Sequence, residues 1–170
     1  SSSPKAIGGE LNIYSHRQPY LIEPFLKEFT KRTNIKTNVV FASKGLAQRL
    51  QAEGEASPAD LVLTVDISRL KQYADKGLFQ PFISKALESR IPQNLRSKDN
   101  TWYGFSKRSR VIAVAKSLKN SNEITRFEDL TKTKWSGKIC SRPGSHVYNR
   151  ALLSSIIAAN GNEAAFAWAK

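Results

Sequence analysis

The chain has no methionine, one cysteine and two histidines among its 170 residues. Cys140 cannot close a disulfide within the chain; it reads either as a small buried apolar residue or as half of a bridge to sequence outside it. Its place in an apolar, strand-like run also speaks against an exposed reactive thiolate. The histidines, His16 and His146, stand far apart and outside any HExxH context, so a zinc-hydrolase site has no support. Phosphate-cradling glycine loops of the GxGxxG or GxxxxGK type are absent, as is a G-x-S-x-G nucleophile elbow. Asp60 and Asp66 flank one apolar run, a spacing better suited to helix capping or hinge contacts than to paired acid–base work. Catalysis is therefore not expected. No window approaches the roughly 18 apolar residues of a membrane span. The opening Ser1-Ser2-Ser3-Pro4 lacks a basic and an apolar leader region, as expected of an end left by signal removal or of an arbitrary boundary.

Acidic residues are also scarce: 14 Asp and Glu face 27 Lys and Arg, a net charge of +13. Such a balance attracts anionic partners. The charges are scattered without a run of five, which reads as a solvated surface more than as a nucleic-acid stripe. Hydrophobic content of 40% with 9% aromatics fits a globular core.

What is present alternates between strand and helix patterns. Asn12-Ile13-Tyr14 opens a strand, Ser15-His16-Arg17-Gln18 forms a polar loop, and Pro19 suits a first helical position. Leu21, Ile22, Phe25, Leu26 and Phe29 then share one helical face, and residues 36–41 form a β-branched second strand. Ser43 is expected to cap a helix through Leu46 and Leu50 that ends at Gly54. Leu61 to Val65 reads as a strand buried on both faces. Helices are expected over 66–74, ended by Gly77, and over 84–90. Strands are expected over 101–105, 110–115 and 137–141. Thr125 and Glu128 have capping-box spacing, a helix starts near Tyr148, and another starts at Gly161 and is still periodic at Lys170. The class is α/β with a parallel or mixed sheet. A second strand–loop–helix unit starts after residue 115 with too little chain to close a second domain, as expected of a truncated chain.

Two polar loops at strand-to-helix switches could therefore face one crevice: Ser15-His16-Arg17, and Ser145-His146-Val147-Tyr148-Asn149. The first lies at a helix N-terminus, which favours anions. Tyr148 is compatible with two roles, a ring packed on the sheet or a phenol that loses its proton to a hard trivalent cation, with arginine nearby to hold an accompanying anion.

Several segments together carry a resemblance. The run Tyr14-Ser-His-Arg-Gln-Pro-Tyr-Leu21 resembles the opening of periplasmic ferric-iron-binding proteins, the receptors of bacterial iron ABC transporters. Ser57 to Arg69, Trp102-Tyr-Gly-Phe105, Gly137-Lys-Ile-Cys140 and Gly144-Ser-His-Val-Tyr-Asn149 are similar to the family as well, in order across residues 10–170. The resemblance implies an α/β, periplasmic-binding-protein type II-like two-lobed fold, here the first lobe plus the start of the second. Lobe one would span residues 7–106, a crossing strand 107–115, and the truncated beginning of lobe two 116–170. It implies Fe(III) held by tyrosine phenolates with a synergistic anion such as carbonate, and no enzymatic activity. Tyr148 matches the first such tyrosine, and His16 is a further candidate metal ligand. Arg17, Arg108 and Ser145 are candidate anion contacts. Closure of the lobes would bring Arg17 toward iron on Tyr148. The tyrosine pair completing the site, and a cysteine to pair with Cys140, would lie beyond Lys170, in the oxidising periplasm. The partner would be the membrane permease of an ABC importer.

Two other readings stay open. One is a receptor of the same architecture that captures phosphate or a carboxylate through Arg17, Ser145 and helix N-termini. The other is a basic nucleic-acid module, which would show a steep salt dependence of DNA affinity.

Overall fold

The computed structural model describes residues 9–170; the Ser1-Ser2-Ser3-Pro4 opening and the first residues assigned to lobe one lie outside the described residues. Two compact units divide the chain, Ser1–Phe105 and Ser106–Lys170.

The first unit is built on three parallel strands, β1 (Gly9–Ser15), β2 (Ile35–Phe41) and β3 (Leu61–Leu63), in the order β2-β1-β3. Neighbouring residues of a strand face opposite sides of the sheet, and Ile13 and Tyr14 are both only 1% exposed. The central strand is therefore covered on both faces. Helix α1 (Pro19–Thr33) starts at Pro19 as the sequence implies and ends at Asn34, whose left-handed backbone lets its N–H reach the Thr30 carbonyl. Its apolar stripe is incompletely covered: Ile22, Leu26 and Phe29 are half-buried, while Phe25 is 76% exposed. Helix α2 (Leu46–Glu53) supplies Leu46, Ala47 and Leu50, and α3 (Ile67–Ala74) supplies Tyr73, to a core around Tyr14. Asp66 caps α3 by accepting from the Ser68 N–H at 2.9 Å, and Ser84 caps α4 (Lys85–Arg90).

Several expectations change. Ser43 does not cap α2; Gly45 holds the N-cap at φ +86°, a conformation that suits glycine and needs no side chain. The strand expected over 61–65 is three residues long and only half-covered, because β3 pairs on one side with β1 alone. Residues 101–105 form no strand beyond an isolated antiparallel bridge between Arg96 and Tyr103. There Gly104 donates to the Leu95 carbonyl at 2.7 Å, so closely that a Cβ would stand 2.9 Å from that oxygen.

The second unit contains helices α5 (Val147–Asn160) and α6 (Asn162–Trp168), preceded by short 3-10 turns at Ser121–Glu123, Phe127–Thr131 and Thr133–Trp135. Trp135, Ile156 and Ala165 are its buried residues. Trp168 Nε1 donates to the Phe127 carbonyl at 2.8 Å, and Asn160 donates to Glu128 at 2.9 Å, tying the helices to the turns. The expected capping box moves by one residue. Asp129, not Glu128, reaches back, its carboxylate accepting from the Thr125 N–H, the Thr125 hydroxyl and the Arg126 N–H. Residues 110–115 and 137–141 carry the expected β-branched residues but form no ladder. Strand propensity reflects packing on a pleated surface, and a strand needs a hydrogen-bonded neighbour to exist. These segments instead line an open trough of about 1070 Å³ with Leu130, Trp135 and Trp168. Cys140 is exposed there, not buried in a strand.

Candidate functional site

At the C-terminal edge of the parallel sheet, the ladder runs on into the first polar loop. His16 N–H donates to the Leu63 carbonyl at 2.8 Å and Ala42 N–H to the Ser15 carbonyl at 3.1 Å. The Ser15 hydroxyl donates to the Arg17 carbonyl at 2.8 Å and accepts from the Arg17 N–H at 3.0 Å, making a rigid turn ahead of α1. Arg17 is half-buried on this turn.

His16 is 8% exposed and both of its nitrogens are engaged. Nδ1 lies 2.8 Å from the Ala42 carbonyl, which only accepts, so the proton is assigned to Nδ1, and the Arg69 guanidinium 3.0 Å from the same nitrogen stands donor against donor. Nε2 then accepts from the Tyr73 hydroxyl at 2.7 Å. Tyr73 is fully buried, which pushes its phenol up to about 12. Burial lowers the basicity of His16, and the Arg69 guanidinium adds to this. Arg69 itself donates to the Ser43 carbonyl. As placed, His16 presents no open lone pair to a metal.

The second polar loop is different. His146 caps α5, its Nδ1 accepting from the Tyr148 N–H at 3.1 Å, so Tyr148 stands in the first helical turn. Three guanidinium groups surround its ring. Arg108 donates to the phenol oxygen at 3.0 Å, and the centres of Arg110, Arg108 and Arg142 lie 4.3, 5.1 and 5.8 Å from the ring centroid. The His146 ring meets it edge-on at 4.8 Å. Positive charge at this range attracts the ring face and would neutralise a phenolate formed on metal binding. The same charge repels a bare trivalent cation, which favours an anion entering with it.

Of the residues singled out in the sequence, Arg108 and Tyr148 are thus in contact, and exposed Ser145 lies in the turn just before α5. Arg17 and His16 belong to the first unit. Arg110 and Arg142 went unrecognised. Arg110 had a readable signal: Arg108 and Arg110 are two apart in an extended segment, hence on one side of it. Arg142 had none, since a loop imposes no periodicity. Among the described residues, no three His, Cys, Asp or Glu side chains gather as a metal cluster.

Comparison with known proteins gives a consistent result. "Iron uptake protein A1" of Synechocystis sp. is 40% identical over 162 residues, covering 95% of this chain and 45% of that protein. A Bordetella ferric binding protein superposes with a TM-score of 0.82 at 44% identity, over 94% of this chain and 50% of its own. A Trichodesmium protein solved in complex with iron and citrate ligands gives a TM-score of 0.84 at 40% identity, over 95% of this chain and 51% of its own. The chain spans about half the length of the curated relatives it matches. Its fold class is that of the type II periplasmic binding proteins, of which it carries a part. Residues 14–137 match the family described as bacterial extracellular solute-binding protein, a class of binding proteins and not of enzymes, and the chain belongs to that family.

Proposed function

We propose that this chain is the N-terminal part of a non-enzymatic receptor that captures ferric iron with a small anion in the periplasm and passes it to the membrane permease of an ABC importer. The observation that carries the reading is Tyr148, a phenol in a helical first turn with guanidinium groups of Arg108, Arg110 and Arg142 about its ring. The phenol loses its proton to Fe(III) and supplies a hard oxygen donor. Arg108, with Ser145 in the turn three residues before Tyr148, holds a carbonate-like anion by charge-assisted hydrogen bonds. Arg17, on the rigid turn of the first unit, is assigned an anion contact on the resemblance alone. His16 is assigned a structural role as the buried pin of that turn, in place of metal ligation, because both nitrogens are already bonded. The relatives' names support the cargo. The lobe boundaries at 106/107 and 115/116, and a bridge from Cys140 to sequence outside this chain, belong to the same proposal.

Adding Fe(III) and bicarbonate to the full-length protein should produce a visible phenolate-to-iron charge-transfer band, diminished by Tyr148→Phe. A colourless full-length protein overturns the reading. The concentration of arginine around one phenol also favours a second reading, an anion receptor for phosphate or a carboxylate. Calorimetric titration of those anions without iron separates the two: tight iron-independent binding supports the anion receptor.

A further inference from the structure

Residues 141–145, which lead into the His146 cap of α5, form no ladder and no helix, yet they carry Arg142 toward the Tyr148 ring. His146 does not hold Arg142 there. Its Nδ1 accepts from the Tyr148 N–H, so the ring proton of the neutral imidazole sits on Nε2. The 3.3 Å approach of Arg142 Nη1 to Nε2 is then donor against donor. What does hold the segment is the side chain next to Tyr148. Asn149 Nδ2 donates to the Ser141 hydroxyl oxygen at 2.8 Å and to the Arg142 carbonyl, with the Pro143 carbonyl at 3.4 Å. The Ser141 hydroxyl donates to the same Arg142 carbonyl at 2.9 Å, and the Pro143 carbonyl also accepts from the His146 N–H at 2.9 Å.

We propose that Asn149 is a positioning residue for the Tyr148 site: its carboxamide clasps the 141–143 backbone to the first turn of α5 and so places the Arg142 guanidinium beside the phenol. Successive helical residues point about 100° apart. Asn149 can therefore hold the loop from one side of the helix while Tyr148 faces the arginines from another. Without the amide donor, the Arg142 and Pro143 carbonyls turn to water and the loop loses the bonds that fix it. The inference rests on the iron reading above and adds to it a residue that touches neither cargo nor anion.

The test uses the full-length protein with Fe(III) and bicarbonate as the probe, and the variants Asn149→Ala, Asn149→Asp and Asn149→Gln. Three readouts are followed: the charge-transfer band, iron affinity by chelator competition, and the thermal midpoint. Groups that orient metal-site residues typically cost 10–100-fold in affinity when removed, so about that loss is expected for Ala and Asp, with a shifted band. Asp keeps the side chain's shape but cannot donate to a carbonyl, and its charge in a helical first turn is favourable. Its midpoint should therefore hold or rise while iron binding falls, a split that a merely structural role would not produce. Gln, which retains the donor on a longer arm, should recover part of the affinity. Wild-type affinity and an unshifted band in Ala overturn the proposal, including where Asp alone is weakened, since that would be a charge effect. If Ala does not fold, Asp and Gln decide: equal losses in both overturn the proposal. No band in the unmutated protein removes the iron reading itself and this inference with it.

Discussion

Tyr73→Phe deletes one oxygen from a fully buried side chain and leaves the ring, which stacks on Phe79 at 5.5 Å with planes 12° apart. The lost atom is the donor to His16 Nε2, and His16 is itself 8% exposed, so water has little access to the lone pair left behind. Stranding one buried acceptor costs about 1–3 kcal/mol. For a chain of this size each kcal/mol moves the thermal midpoint by about 2–4 °C. Urea unfolding of Tyr73→Phe, His16→Ala and the double variant should therefore show a coupling of at least about 0.5 kcal/mol between the two positions. The pH dependence carries a sign as well. Burial holds the folded-state pKa of His16 below its ordinary 6.5, so the unfolded chain binds this proton more readily. The full contribution is present above 6.5 and is lost as pH falls from there through the depressed folded value; His16→Ala should flatten that limb of the stability profile. Wild-type stability in Tyr73→Phe with strictly additive variants would refute the pinned histidine. So would a His16→Ala protein that keeps its stability but loses its charge-transfer band, because His16 would then be a metal donor.

Hydrogen bonds from Thr125 hold the Asp129 carboxyl well below the usual carboxylate range, helped by Lys132. Its contribution is present above the ordinary value of 3.8 and is lost as pH falls below it toward the folded value. Acid unfolding curves of wild type and Asp129→Asn should differ at neutral pH and converge at the acid end; parallel curves would contradict the shifted capping box. Gly45→Ala places a side chain at φ +86° with nothing within 4 Å of the new Cβ, so only backbone strain opposes it. Denaturation should show a loss of about 1–2 kcal/mol; an unchanged midpoint would mean that α2 starts elsewhere.

Local rules acting on neighbouring residues made much of this chain legible in advance. Pro19 at a helix start, Asp66 and Ser84 as caps, the Gly54 stop and the β-branched run ending at Phe41 each act within a turn or a strand, and the structure has all of them. Tyr148 at the head of a helix and the family resemblance were equally readable, because motif order survives in the sequence. Two misses are local, the α2 cap at Gly45 in place of Ser43 and the capping box shifted to Asp129; the others concern partners distant in sequence or chosen by geometry. Residues 110–115 and 137–141 have strand composition without a ladder, since pairing belongs to two segments and composition to one. The contacts of His16, a candidate ligand in the sequence, come from Tyr73 and Ala42, 57 and 26 positions away. Arg142 reaches Tyr148 through a loop whose course only Asn149 and its carbonyl acceptors define. The sequence by itself determined where most helices begin and end and which phenol heads α5. Tertiary structure alone decided which side chains had donors or lone pairs left, because a hydrogen bond across the fold depends on distance and direction that no local pattern encodes.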